Sequence, residues 1–184
     1  MSSTTSRPQS SSGPAHEQTS GLATVRQQLL EAYERETATT LKVLRAYPED
    51  QSELQPHHLC KPARELAWMF AGELRLASAA LRGTFDMSKF LKPAPATLGE
   101  VIASFERARD EALDVIRNAS DDMLSGTTKF FTAPKTMGDI PNVPFLWFLL
   151  HDHIHHRGQF SIYLRMAGGK VPSIYGPSAD EPWF

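Results

Sequence analysis

Apolar residues recur at three- and four-residue steps over four long stretches, the period of helices that bury one face. The first stretch runs from about Leu22 to Ala46, with Leu29, Tyr33, Thr37, Thr40 and Leu44 along one stripe, and stops before Pro48. The second opens at Pro62, a residue suited to a first helical turn, and continues through "ARELAWMFAGELRLASAALRG" to a capping glycine, Gly83. The third begins at "TLGE", where Thr97 and Glu100 have the spacing of a capping box, and reaches about Ala119. The fourth spans about Asn142 to Ala167 and ends at Gly168 and Gly169. Between the third and fourth lies "SDDMLSGTTKFFTAPKTMGDIPNVP", too long and too rich in Gly and Pro for a tight turn. It has room for a short strand or a turn of helix.

These elements predict an all-α fold: an antiparallel four-helix bundle with one long crossover connection, the architecture that builds sites between facing helices. Strand–helix alternation, internal repeats and a Gly-rich phosphate loop are all missing from the sequence. After the paired glycines comes "KVPSIYGPSADEPWF", where Ile174, Tyr175, Trp183 and Phe184 give more bulky apolar surface than a free tail carries. The segment is expected to be an extended tail packed on the helices, as a strap or as a lid over a pocket. Residues 1–20, rich in Ser, Thr and Pro, read as a disordered tail, which leaves 21–184 as a single domain.

Composition narrows the function classes. The 184 residues suffice for one domain with a real core, and 41% hydrophobic with 22% charged residues is ordinary for a globular chain. A net charge of −2 lacks the basic excess of a nucleic-acid binder. No apolar run is long enough to span a membrane, and the N-terminus lacks the basic-then-apolar pattern of a secretory signal. Cys60 is the only cysteine, so no internal disulfide forms and a cytoplasmic location is favoured. Such a residue is either a nucleophile or, more commonly, an inert packed thiol.

The densest chemistry is "LLHDHIHHRGQF", residues 149–160, which holds four of the seven histidines. A helix advances about 100° per residue, so groups four apart share a face. Two pairs qualify: His151 with His155, and Asp152 with His156. Phe145, Leu149, Asp152, His156, Phe160 and Tyr163 fall along one stripe. If that stripe faces the centre, Asp152 and His156 point inward, His151 and His155 sit on one flank, and His153 on the opposite flank. Leu146, Trp147, Leu150, Ile154 and Leu164 make the other side apolar too. A helix apolar all round is central or is covered by a second subunit, which suggests a homodimer.

An inward carboxylate beside an inward imidazole needs a partner, either each other or a metal. A metal needs a third ligand from another helix. On the second helix Leu66, Met69, Glu73, Leu76 and Ala80 share a stripe, and Glu73 is the acid centred on it. Glu73 is a ligand there, or else a charge at the helix edge paired with an arginine. A shell of Glu73, Asp152 and His156 would be rich in oxygen and would favour Mn, Fe or Zn. His57 and His58, just before this helix, read as loop residues at or near a pocket mouth.

Three segments, "ARELAWMFAGE", "HIHHRGQFSIYLRMAGG" and "KVPSIYGPSADE", resemble the DinB/YfiT-like superfamily of metal-dependent four-helix proteins. The resemblance covers nearly everything beyond the N-terminal tail. It implies a dimeric bundle with one crossover and a nickel, zinc or similar divalent ion held by three histidines. One comes from the second helix and two, four residues apart, from the fourth, the last directly preceding "RGQ". By position that last ligand is His156, while Asp152 and Met69 stand where the other two histidines are expected. Three outcomes follow: a shell rebuilt from Asp152, His156 and Glu73, a shell shifted to His151, His153 or His155, or a site without metal. The Met69 thioether is a poor ligand for hard divalent ions.

The resemblance implies a metal-dependent transferase or hydrolase acting on a small molecule, with thiol-dependent chemistry among the family's reactions. In that reading His156 is a ligand, Asp152 a ligand or base, Gln159 or Tyr163 a pocket donor beside Met69, and the tail around Tyr175 closes the mouth. The rival expectation is a metal-free, non-catalytic dimer with a buried Asp152–His156 pair and a ligand-binding or stress-related role. Neither nucleic acid nor membrane is an expected partner.

Overall fold

The computed structural model describes residues 14–86 and 92–184. Four long helices dominate it: α1 (Pro14–Arg45), α2 (Ala63–Leu81), α3 (Leu98–Arg117) and α5 (Asn142–Met166). A short helix, α4 (Asp121–Ser125), and two strands, β1 (Thr127–Ala133) and β2 (Thr136–Pro141), lie between α3 and α5. The tail assigned to residues 1–20 falls largely on residues 1–13, outside the described residues, and α1 takes up the remainder. No helix among the described residues is long and apolar enough to cross a membrane.

Local chemistry explains most of the boundaries. Thr97 caps α3 as its spacing predicts: its hydroxyl accepts from the Glu100 amide, and the Glu100 carboxylate accepts from the Thr97 amide. The first amides of the helix proper, Leu98 and Gly99, donate to the two carboxylate oxygens of Glu49, at 2.8 and 3.0 Å. Glu49 belongs to a single 3-10 turn, Glu49–Gln51, in the connection from α1 to α2. Helix α2 starts at Ala63, one residue after Pro62, and ends where Gly83 takes φ +64°. The Gly83 and Thr84 amides return to the Ala80 and Ala79 carbonyls. Gly168, at φ +79°, closes α5 in the same way. A side chain at either glycine would meet the backbone strain of the left-handed region.

The all-α expectation needs correction, because the long connection before α5 contains a two-stranded antiparallel sheet. Thr127 pairs with Pro141 and Phe131 with Met137, and a bulge follows Phe131. Phe130 anchors the hairpin, with its ring against those of Phe85, Phe145 and Phe148. Buried Asn142 ties the hairpin to the helices. Its side chain accepts from the Thr128 hydroxyl at 2.7 Å and donates to the Met123 carbonyl at 2.8 Å.

The chief helix contacts run α1–α3, α3–α2, α2–α5 and α5–α1. Two connections, 46–62 and 118–141, therefore join helices that are not chief neighbours, where the sequence suggested one crossover. The core between them is built on Leu29, Tyr33, Phe70, Leu74, Phe105, Ile116, Phe145, Phe160 and Leu164. On α5 the buried face is rotated from the stripe read in the sequence. It runs through Leu146, Leu149, His153, Arg157, Phe160 and Leu164. Apolar periodicity leaves polar side chains outside by default, and here two of them are inside because they are paired across the helices. The C-terminal segment packs on this core through Val171 and Ile174, and its Asp180 bridges to Arg165 at 2.6 Å.

Candidate functional site

Glu73 projects from the middle of α2 into the core and is 3% exposed. Such a burial is costly for a carboxylate unless both oxygens find donors. Here each oxygen meets one imidazole of α5: Oε2 lies 2.9 Å from His153 Nδ1, and Oε1 lies 2.6 Å from His156 Nδ1. A carboxylate can only accept, so Nδ1 carries the hydrogen on both rings. Asp152 Oδ2 lies 3.8 Å from His156 Nδ1, one turn back on the same helix. One ligand atom from each of Glu73, Asp152 and His156 falls within 4.8 Å of the others.

Protonation follows this geometry. Burial pushes the Glu73 carboxyl up, but the hydrogen bonds and charges of His153 and His156 outweigh it and hold the group below the usual carboxylate value. The bond from Glu73 raises His156, against the opposing effect of burial and with further help from the charges of Glu73 and Asp152. Asp152, partly exposed, is raised by burial and by the like charge of Glu73, with His156 pulling the other way. Glu73 and His156 thus form a charge-compensated pair with Asp152 at its rim.

His156 opens onto a cleft of about 470 Å³, walled by α2, α5 and the loop between α1 and α2. Leu66, Met69 and Ile162 make most of it apolar, and Cys60, Gln159 and Tyr163 supply polar edges. The Tyr163 hydroxyl donates to the Lys61 carbonyl at 3.0 Å, and burial with a contact to Cys60 pushes its pKa up to about 12. Glu73 sits behind His156, outside the cleft lining.

Among the residues singled out in the sequence, Glu73, Asp152 and His156 come together, with Met69, Gln159 and Tyr163 along the adjoining cleft. Tyr175 does not join them. Its hydroxyl lies against Glu36 and Arg157, at 2.6 and 2.7 Å, on another part of α5. His151 and His155 face outward, while His57 and His58 are exposed and lie against each other with tilted rings. His153, placed on a flank by the helical wheel, is instead the most deeply buried of these histidines, at 1% exposure, packed against the rings of Phe70 and Phe105. Cys60 is exposed at the cleft edge, not packed in the core.

A second polar cluster was not anticipated. Glu36 of α1 and Arg157 of α5 are 2% and 1% exposed and form an ion pair at 2.7 Å. Burial raises the Glu36 carboxyl, but hydrogen bonds from Tyr175, Arg157 and Arg35 bring it below the ordinary value. The signal for this cluster was present: the inward stripe of α1 carries two hydroxyls, Thr37 and Thr40, and Glu36 stands four residues before Thr40.

Comparison with known proteins gives the fold its context. The sequence profile of the DinB family matches residues 17–183. A relative from Bacillus subtilis named as the uncharacterized protein YrdA is 24% identical over 153 residues, which span 83% of this chain and 89% of YrdA. A crystal structure of a DinB-like protein from Bacillus cereus superposes with a TM-score of 0.66 at 21% identity, covering 80% of this chain and 95% of that one. The DinB-like protein YjoA from Bacillus subtilis gives a TM-score of 0.65 at 13% identity, covering 80% of this chain and 97% of its own. At these identities the two structures speak for the fold alone. The profile extends over both halves of the candidate site and the C-terminal segment, and by that match the chain belongs to the DinB family.

Proposed function

We propose that this DinB-family protein is an antiparallel four-helix bundle that binds a divalent cation on Glu73, Asp152 and His156 and acts on a small molecule in the adjoining cleft. The observation that carries the reading is the convergence of two carboxylates and one imidazole within 4.8 Å beside a cleft. The donor set fits such an ion. Two carboxylates balance its charge, and nitrogen and oxygen ligands suit Mn, Fe, Zn or Ni. His153 supports the set from behind, since its N–H fixes one Glu73 oxygen and leaves the other directed at His156. A bound ion would supply Lewis acidity to a substrate oxygen or thiol, as a transferase or hydrolase requires.

The chain's own groups account for substrate handling. Leu66, Met69 and Ile162 suit an apolar body and exclude water from it. The Tyr163 hydrogen is committed to the Lys61 carbonyl, so the hydroxyl offers a substrate a lone pair, while the Gln159 amide gives one hydrogen to His155 Nε2 at 2.8 Å and keeps its second for a substrate. The outer face of α5 exposes Phe148, Ile162 and Met166, a surface suited to pairing with a second copy of the chain.

One observation favours a metal-free, ligand-binding alternative. Glu73 is already satisfied by two imidazoles, and among the described residues no buried side-chain nitrogen or oxygen lacks a partner. A proton on His156 therefore does the electrostatic work that a cation would do. Cation uptake by tag-free protein separates the readings. Titration with Mn, Fe, Ni and Zn should show about one ion per chain. Uptake should vanish in His156→Ala and persist in His151→Ala. A wild-type chain that takes up none of the four ions rejects the proposal.

A further inference from the structure

From the cleft, hydrogen bonds continue through the core to the C-terminal segment. His153 Nδ1 holds Glu73, and its Nε2 lies 2.9 Å from the Thr40 hydroxyl of α1. Thr40 in turn lies 3.0 Å from the Glu36 carbonyl and receives Arg157 Nη1 at 3.4 Å. Arg157 also donates to the Glu36 carbonyl at 2.9 Å and to the Glu36 carboxylate at 2.7 Å. The last link is Tyr175, whose hydroxyl donates to that same carboxylate oxygen at 2.6 Å. Tyr175 as a whole is 66% exposed, and it docks the segment through its hydroxyl and through the ring face that the Arg157 guanidinium overlies at 5.2 Å.

We infer that Thr40, His153, Arg157, Glu36 and Tyr175 are positioning residues for Glu73, and that docking of the C-terminal segment through Tyr175 sets the geometry of the Glu73 carboxylate behind the cleft. The consequence for cation affinity rests on the cation reading above; the linkage between segment and Glu73 does not. Each step leaves little slack. The His153 ring is tied at both nitrogens, to Glu73 and to Thr40, and packs against Phe70 and Phe105 at 4.9 and 6.0 Å, so a move of the Thr40 oxygen is passed on to Glu73. Thr40 has one hydrogen to share between the Glu36 carbonyl and His153, so its rotamer reports the state of the Glu36–Arg157 pair. That pair is buried and loses a donor when Tyr175 leaves. A fully buried polar network shifts as a unit when one member is removed, because an unpaired group in low dielectric is expensive. Whatever lifts residues 171–181 from the core, a ligand or a partner, would then alter the site without touching it.

The test uses the full chain and Tyr175→Phe, which removes one hydroxyl at an exposed ring and so preserves the fold. In the protein without added metal, the Glu73 carboxyl carbon and the His153 ring nitrogens are followed by NMR. The expected result is a shift of both sets of resonances in Tyr175→Phe, with thermal stability close to wild type. Resonances that stay in place overturn the inference, whether or not the protein binds a cation. Mn titration then tests the consequence. Affinity should fall about tenfold or more in His153→Ala, recover partly in His153→Asn, which keeps an N–H donor near the Nδ1 position, and fall a few-fold in Tyr175→Phe. Shifted resonances with unchanged Mn affinity also overturn the inference, since the network would then reach Glu73 without governing it. A wild type that takes up no ion while the resonances move rejects the cation reading and leaves the linkage standing.

Discussion

Two buried carboxylates meet α5 in this protein, and they are compensated in different ways. Glu36 is held by guanidiniums, that of buried Arg157 and that of exposed Arg35, and a guanidinium keeps its charge at any pH a protein meets. Glu73 is held by two imidazoles, and the one that reaches the cleft, His156, has a nitrogen that can exchange its proton for a metal. Glu36 lies under the C-terminal segment, whereas His156 carries the Glu73 cluster to an open cleft. The contrast teaches how to tell a strut from a site when both are buried and charged. A fixed cation in a closed setting locks two helices together, while an exchangeable one beside a cavity leaves chemistry available.

The largest expected effect falls on the closed cluster. Arg157→Ala takes from Glu36 its buried cation, leaving only the exposed Arg35 at 3.0 Å, and should cost on the order of 3 kcal/mol of unfolding free energy, measured by urea denaturation. Arg157→Lys should recover only part of this, because a point charge cannot bond the Glu36 carbonyl and carboxylate together. A loss below about 1 kcal/mol would show that the pair is not a strut. For the open cluster the order reverses. His156→Ala should weaken cation binding at least about a hundredfold while costing less stability than Arg157→Ala, because His156 is already partly exposed.

The response to pH sharpens the difference. Glu36 and Glu73 both sit below the ordinary carboxylate value, so each stabilises the fold above that value and loses its contribution as pH falls through its lowered one. His156 is raised, so its contribution is complete below the ordinary imidazole value and fades as pH rises through the raised one. Thermal melts of metal-free protein should therefore show an acid limb from both clusters and, of the two, a limb above the ordinary imidazole value from the open cluster alone. His156→Ala should flatten that second limb, and a limb that persists unchanged would remove the distinction. The smallest effect belongs to His151→Ala. It alters an outward histidine and should change stability by no more than about 0.5 kcal/mol and cation uptake not at all.

The legible parts of this molecule were the ones decided locally. The Thr97–Glu100 box and the Gly83 and Gly168 stops act within a turn or two, so spacing alone reveals them. The place of Glu73 at the centre of an apolar face could be read, but not its partners: the sequence left it a ligand or an edge charge beside an arginine, and the structure gives it two imidazoles. What periodicity could not supply was the rotation of α5, since His153 and Arg157 are inside only by virtue of Thr40, Glu73 and Glu36 on other helices. Glu36 was missed for the same reason: nothing on α1 alone says that an arginine 121 positions later will reach it. The hairpin was obscured by Pro134, Gly138 and Pro141, which read as loop residues although the strands between them pair in register.

The double grip of Glu49 on the start of α3 has a consequence for the cleft. The loop that forms one of its walls leaves α1 at Tyr47, is moored to α3 at Glu49, and is moored again where the Lys61 carbonyl meets Tyr163. Between these abutments the Ser52 and Leu54 carbonyls accept from the Arg64 and Ala63 amides, so the span that stands clear is short, with His57, His58, Leu59 and Cys60 all exposed. A molecule entering the cleft need not part any helices. It has only to deflect the middle of a bridge whose two ends are already fixed.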